Sequence, residues 1–137
     1  MKIVRAFVGI LGSIVLMSSL HSPNDPLQES IKRGKEVYEN YCVSCHLGNG
    51  QGVEGVFPPL AQSDYISANT EQTIRAIKFG LQGSIKVNGK SYNGMMPAAG
   101  LDDEEVADVM NFIRNAWGST SDTLITPEIV RLVEDKN

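Results

Sequence analysis

Residues 40–50 read NYCVSCHLGNG, and this stretch decides how the rest of the chain is read. The only two cysteines, Cys42 and Cys45, stand one helical turn apart with His46 directly after them; the other histidine, His21, lies near the N-terminus. Such a cluster in so cysteine-poor a chain must hold most of its chemistry within itself. Upstream, Asp25, Pro26 and Gln28 form a helix start, and Ile31, Gly34, Val37, Tyr38 and Tyr41 recur at helical spacing, so the cluster closes a helix. Gly34 weakens that helix, which suggests that another helix approaches closely there. Downstream, four glycines between Leu47 and Gly55 impose a loop, which Phe57-Pro58-Pro59-Leu60 continues in extended form.

Cys-x-x-Cys-His is the attachment signature of c-type haem. One helical turn sets two thiols under the two vinyl groups of a porphyrin edge, and the next residue aims an imidazole at the iron. Covalent capture suits a small exported chain, which buries too little apolar surface to retain a cofactor by packing alone. Three other chemistries use similar residues. A thioredoxin-like dithiol expects a strand-helix-strand setting, whereas here a helix runs into a glycine loop. Structural zinc needs four ligands, more than the Cys and His side chains beyond the N-terminal segment supply. A plain Cys42–Cys45 disulfide leaves His46 without a role.

The remaining chain fits a single small domain of 137 residues. Lys2 and Arg5 precede an uncharged run from Ala6 to Leu20, so residues 1–22 read as a signal peptide or a retained anchor, short for a span of about 20 apolar residues. Residues 23–29 form a linker. Without Lys2 and Arg5 the formal charge moves from −4 to −6, which argues against nucleic acid or an anionic membrane as partner; membrane contact is expected only if the N-terminal segment is kept.

Asn69 with Gln72 opens a second helix, with Ile74, Ile77 and Leu81 on its apolar face. Ile85 and Val87 flank Asn88-Gly89, the signal of a type I′ hairpin running through Tyr92, and Asn93-Gly94 is read as a further turn before Met95-Met96-Pro97. Asp102 and Glu105 make a capping box for the last long helix, with Leu101 placed to staple onto Val106. Its stripe of Val106, Val109, Met110, Ile113 and Trp117 stops at Gly118. Residues 119–137 are a polar linker and a short helix from Pro127 to Glu134, which either packs back on the domain or docks on a partner.

Gly34-Lys35-Glu36-Val37-Tyr38, Cys42-Val43-Ser44-Cys45-His46, Pro58-Pro59-Leu60, Asn93-Gly94-Met95-Met96-Pro97 and the capped last helix together resemble the bacterial class I (mono-haem) cytochromes c, over roughly residues 30–118. The resemblance implies an all-α fold in which the first and last helices cross around one covalently bound haem c, with Gly34 and Tyr38 meeting Val109 and Phe112. Cys42 and Cys45 would carry the haem. His46 would be the proximal iron ligand and Met96 the distal one, with Met95 as the neighbour able to replace it after a small shift. Pro58 would offer its carbonyl to His46, and Leu60 would line the cofactor. A His/Met iron has no open position, so the resemblance implies a one-electron carrier in a respiratory or periplasmic chain rather than an enzyme. Its redox partners would be a membrane cytochrome complex or periplasmic dehydrogenase on one side and an oxidase or copper reductase on the other. A subunit of a larger dehydrogenase, reductase or oxidase complex is the alternative, and a gas sensor or thiol oxidoreductase stands behind it.

Overall fold

A computed structural model describes residues 25–136; the segment read as a signal or anchor, with His21, lies outside the described residues. The first helix, α1 (Pro26–Tyr41), begins as the sequence suggests: Asp25 is extended, its carboxylate accepts from the Leu27 N–H at 3.0 Å, and Pro26 occupies the first helical position. Its buried face is Ser30, Gly34 and Tyr38, spaced by four; Tyr41, expected on that face, is exposed. The next short helix, α2 (Val43–His46), ends at Leu47, whose φ of +63° turns the chain into the glycine loop.

Two helices follow instead of one. The Ser63 side chain caps α3 (Asp64–Ala68) by accepting from the Ile66 N–H, and α4 (Thr70–Phe79) stops at Gly80, where φ is +89°. Leu81, read from the sequence as the end of that helical face, instead opens β1 (Leu81–Val87), which pairs antiparallel with β2 (Lys90–Met96). The expectation of an all-α fold is corrected by this ribbon. Asn93-Gly94 is not a turn either: Asn93 pairs with Ser84 and Gly94 with Gly83 inside the ladder. The turn that matters is Asn88-Gly89, with φ of +49° and +79°, because two left-handed residues match the twist of the flanking strands.

The capping box at α5 (Asp103–Ile113) is complete: Asp102 accepts from the Glu104 and Glu105 N–H groups, and Glu105 accepts from the Asp102 N–H at 3.0 Å. Val106, Val109, Met110 and Ile113 are buried as expected, but the helix ends at Ile113. Trp117 therefore lies beyond it, at φ +53°, where the indole meets the Tyr38 ring at 5.0 Å and the Phe112 ring at 5.3 Å.

α1 packs chiefly on α5. At the crossing a Cβ on Gly34 would collide with the Asp108 carbonyl and stand 2.9 Å from the Phe112 Cβ, so only glycine permits this approach. Beside it lies a buried polar knot. Asp108 accepts from Ser30 Oγ at 2.6 Å and from Arg33 Nε and Nη2 at 2.6 and 2.7 Å, while Asn111 Nδ2 donates to Ser30 Oγ at 2.8 Å. Asn111 also exchanges both amide hydrogen bonds with the Ile125 backbone, donating to its carbonyl at 2.8 Å and accepting from its N–H at 2.9 Å. That clasp ties the C-terminal segment to α5. The final helix, α6 (Pro127–Arg131), shorter than expected, packs back on α5 with Val130 and, just past its end, Val133 buried, and Lys78 Nζ donates to the Val130 carbonyl at 2.9 Å.

Candidate functional site

His46 is brought inside by the last turn before the glycine loop and is 8% exposed. Its Nδ1 lies 3.0 Å from the Pro58 carbonyl oxygen. A carbonyl can only accept, so Nδ1 carries the proton and Nε2 keeps its lone pair free for an electrophile. Burial lowers the imidazole pKa and the Pro58 contact partly offsets this, which favours the neutral ring. The carbonyl stands there because of Gly52, at φ +61°: a Cβ on Gly52 would sit 2.7 Å from the Pro58 oxygen. The loop is cross-braced by the Gly50 carbonyl, which accepts from the Leu60 and Ala61 N–H groups at 2.7 and 2.9 Å, and by Tyr38 Oη, which donates to the Leu47 carbonyl at 2.6 Å.

His46 lines an apolar cavity of about 70 Å³. Cys42, Pro58, Leu60, Ile77, Leu81, Ile85, Met96, Val109 and Ile113 contribute to its wall. A second cavity, of about 90 Å³, shares His46, Pro58, Leu81, Ile85 and Met96 with the first and opens between Cys45, Val56, Phe57 and the exposed Met95. Five shared wall residues make the two spaces parts of one cleft, with Cys42 on one side and Cys45 on the other.

The ribbon decides which methionine faces this cleft. Side chains alternate along a strand, and the register Leu81↔Met96, Gly83↔Gly94, Ile85↔Tyr92 places Met96 with the inward set and Met95, opposite Gln82, with the outward set. Met95 is accordingly 74% exposed, while Met96 packs against the core. Met110 is fully buried in that core.

The cysteines are unpaired, and burial, with Cys45 adding to it, pushes the Cys42 thiol up to about 11. Dithiol redox chemistry needs a depressed thiol pKa, so this environment disfavours the thioredoxin-like reading. The sequence did not single out Tyr65, Ile66, Thr73 and Ala76, which also line the cleft. Ser63 with Asp64 directly after it, an N-cap residue and an acidic first turn, is the local signal that could have announced α3, and five residues is too short for periodicity to show.

An apolar slot bearing two thiols at its edge, with a neutral imidazole and a thioether in its walls, suits a flat, covalently tethered macrocycle with a central metal. Comparison with known proteins places the chain accordingly. It belongs to the cytochrome c family, whose model, described as cytochrome c, matches residues 31–117. Cytochrome c-552 of Thermus thermophilus is 44% identical over 90 residues, covering 62% of this chain and 68% of that protein. The cytochrome c subunit of a quinone alcohol dehydrogenase from Gluconobacter oxydans is 34% identical over 92 residues, 64% of this chain but 19% of its own length. The FixP subunit of a cbb3-type cytochrome c oxidase from Bradyrhizobium diazoefficiens is 32% identical over 91 residues, 63% of this chain and 30% of its own. The chain is thus a c-type cytochrome, an electron carrier with covalently bound haem c. Among the described residues no helix is long and apolar enough to cross a membrane.

Proposed function

We propose that Cys42 and Cys45 carry the haem, that His46 and Met96 are its proximal and distal iron ligands, and that the protein shuttles single electrons between exported respiratory partners. Bound haem c supplies one iron centre that exchanges a single electron. The observation that carries the reading is the common cleft: His46, Met96 and both cysteines line it, Met96 from the inward face of the ribbon, whereas Met95 borders it from the opposite face and is 74% exposed. Pro58, by accepting from Nδ1, orients the imidazole and raises its basicity toward a metal, while Leu60, Ile77 and Ile113 keep water from the site. A thioether opposite an imidazole favours the reduced state, and an apolar wall disfavours added positive charge; both act to raise the reduction potential.

Residues 1–22 would direct export, with the domain at 30–118 released to the periplasm or tethered by an uncleaved N-terminus. A membrane cytochrome complex or periplasmic dehydrogenase would supply electrons, and an oxidase or copper reductase would accept them. Service as a subunit of a larger complex is the second reading, favoured by the named dehydrogenase and oxidase relatives. Holo-protein matured in a host that makes c-type cytochromes, denatured and extracted with acidic organic solvent, keeps its pigment on the polypeptide. Cys42→Ser or Cys45→Ser weakens that retention and the double variant abolishes it. Release of the pigment from the wild-type chain would refute the attachment sites.

A further inference from the structure

The ribbon that carries Met96 is long for its supports. An isolated two-stranded ribbon is marginal in water, and seven-residue strands rising about 3.3 Å per residue put the tip roughly 20 Å from the base. At the base, the Ala99 N–H donates to the Ile77 carbonyl at 3.0 Å and Gly80 lies against the Met96 carbonyl. Along the length, Val87 and Tyr92 bury their side chains. At the tip, Asn88 and Asp64 exchange two hydrogen bonds across 24 residues: the Asp64 N–H donates to Asn88 Oδ1 at 3.0 Å, and the Asn88 N–H donates to Asp64 Oδ1 at 2.7 Å. The Asp64 N–H belongs to the first turn of α3, where the helix offers it no acceptor, so each residue completes the other's backbone. The nearby Lys90–Glu54 ion pair, 2.6 Å long, is exposed on both sides and adds little.

We propose that the Asp64–Asn88 pair is a latch holding the ribbon shut over the cleft, and that both are positioning residues for Met96. The inference rests on Met96 being the distal ligand. With the latch broken the ribbon opens from its tip along its whole length, past Val87 and Tyr92 to Met96 at its base, so that the thioether is seated for a smaller fraction of the time and a small added ligand competes for its place.

Ferric holo-protein titrated with imidazole, followed by absorption, reads this opening directly. Asn88→Gly is the cleanest variant, because φ of +49° suits glycine and the turn survives while Oδ1 is lost. Asp64→Ala removes the opposite acceptor, and Asp64→Asn restores it. Imidazole is expected to bind about tenfold more tightly to Asn88→Gly and to Asp64→Ala than to wild type, the scale set by one to two lost hydrogen bonds. Amides of residues 81–96 exchange faster in both, and Asp64→Asn behaves as wild type. A merely structural role would move the unfolding midpoint of all variants without the selective rise in imidazole affinity. Unchanged affinity in both Asn88→Gly and Asp64→Ala, with the sulfur-to-iron absorption band lost in Met96→Ala, would overturn the latch alone. Survival of that band in Met96→Ala would overturn the ligand assignment and the latch together.

Discussion

Gly34→Ala is expected to destabilise the fold by about 3 kcal/mol or more, at the upper end of what overpacking does. The added methyl has nowhere to go: its position coincides with the Asp108 carbonyl of α5, and Phe112 Cβ is 2.9 Å away. Backbone is the obstacle, so no rotamer change relieves the clash and α1 must move off α5. That movement strains the Ser30–Asp108–Asn111 knot and the Tyr38–Phe112–Trp117 cluster, which lie on either side along the same crossing. Alanine's better helix propensity returns only about 1 kcal/mol. Gly48→Ala is the control, because a Cβ there meets no atom within 4 Å. Urea unfolding of the two holo-variants beside wild type checks this: the midpoint should fall sharply for Gly34→Ala and stay near wild type for Gly48→Ala. Equal midpoints would mean that α1 and α5 leave room for a methyl group at the crossing.

Met96→Ala is expected to remove the weak red-edge sulfur-to-iron band of the ferric protein and to lower the reduction potential by a few tenths of a volt, within the roughly 0.8 V range that axial ligation spans. Met95→Ala should change neither, since that side chain points to solvent from the opposite face of β2. The two residues are neighbours in sequence and chemically the same, so only the strand's alternation separates them. A one-residue slip of the ribbon would exchange their places. The register is pinned against such a slip by the Asn88-Gly89 turn and by Val87 and Tyr92, whose burial would be lost. Loss of the band in Met95→Ala alone would show that the register in the holo-protein differs.

Much of this was legible in the sequence because it is local. Asp25-Pro26, Asp102 with Glu105, Asn88-Gly89 and Pro127 are short local signals, and all four act as read. Cys42, Cys45 and His46 are a contiguous motif whose spacing carries its chemistry. The ribbon's continuation past Tyr92 was not legible, since Asn93-Gly94 carries the same turn signal as Asn88-Gly89 and only pairing with Ser84 and Gly83 overrides it. Trp117 satisfied helical spacing by coincidence: it fills the aromatic cluster from a non-helical turn after Ile113. Nor could periodicity reveal that Asn111 would clasp the Ile125 backbone, because that contact joins the end of one element to a segment without regular structure.

If His46 and Met96 both ligate the iron, no coordination position is left open and the protein can only carry electrons. Adding carbon monoxide to the native ferrous holo-protein at neutral pH tests it most directly. The absorption spectrum should stay unchanged over minutes, with rapid binding appearing only in Met96→Ala. Prompt formation of the carbon monoxide complex by the wild-type protein would show that Met96 does not hold the sixth position of the iron.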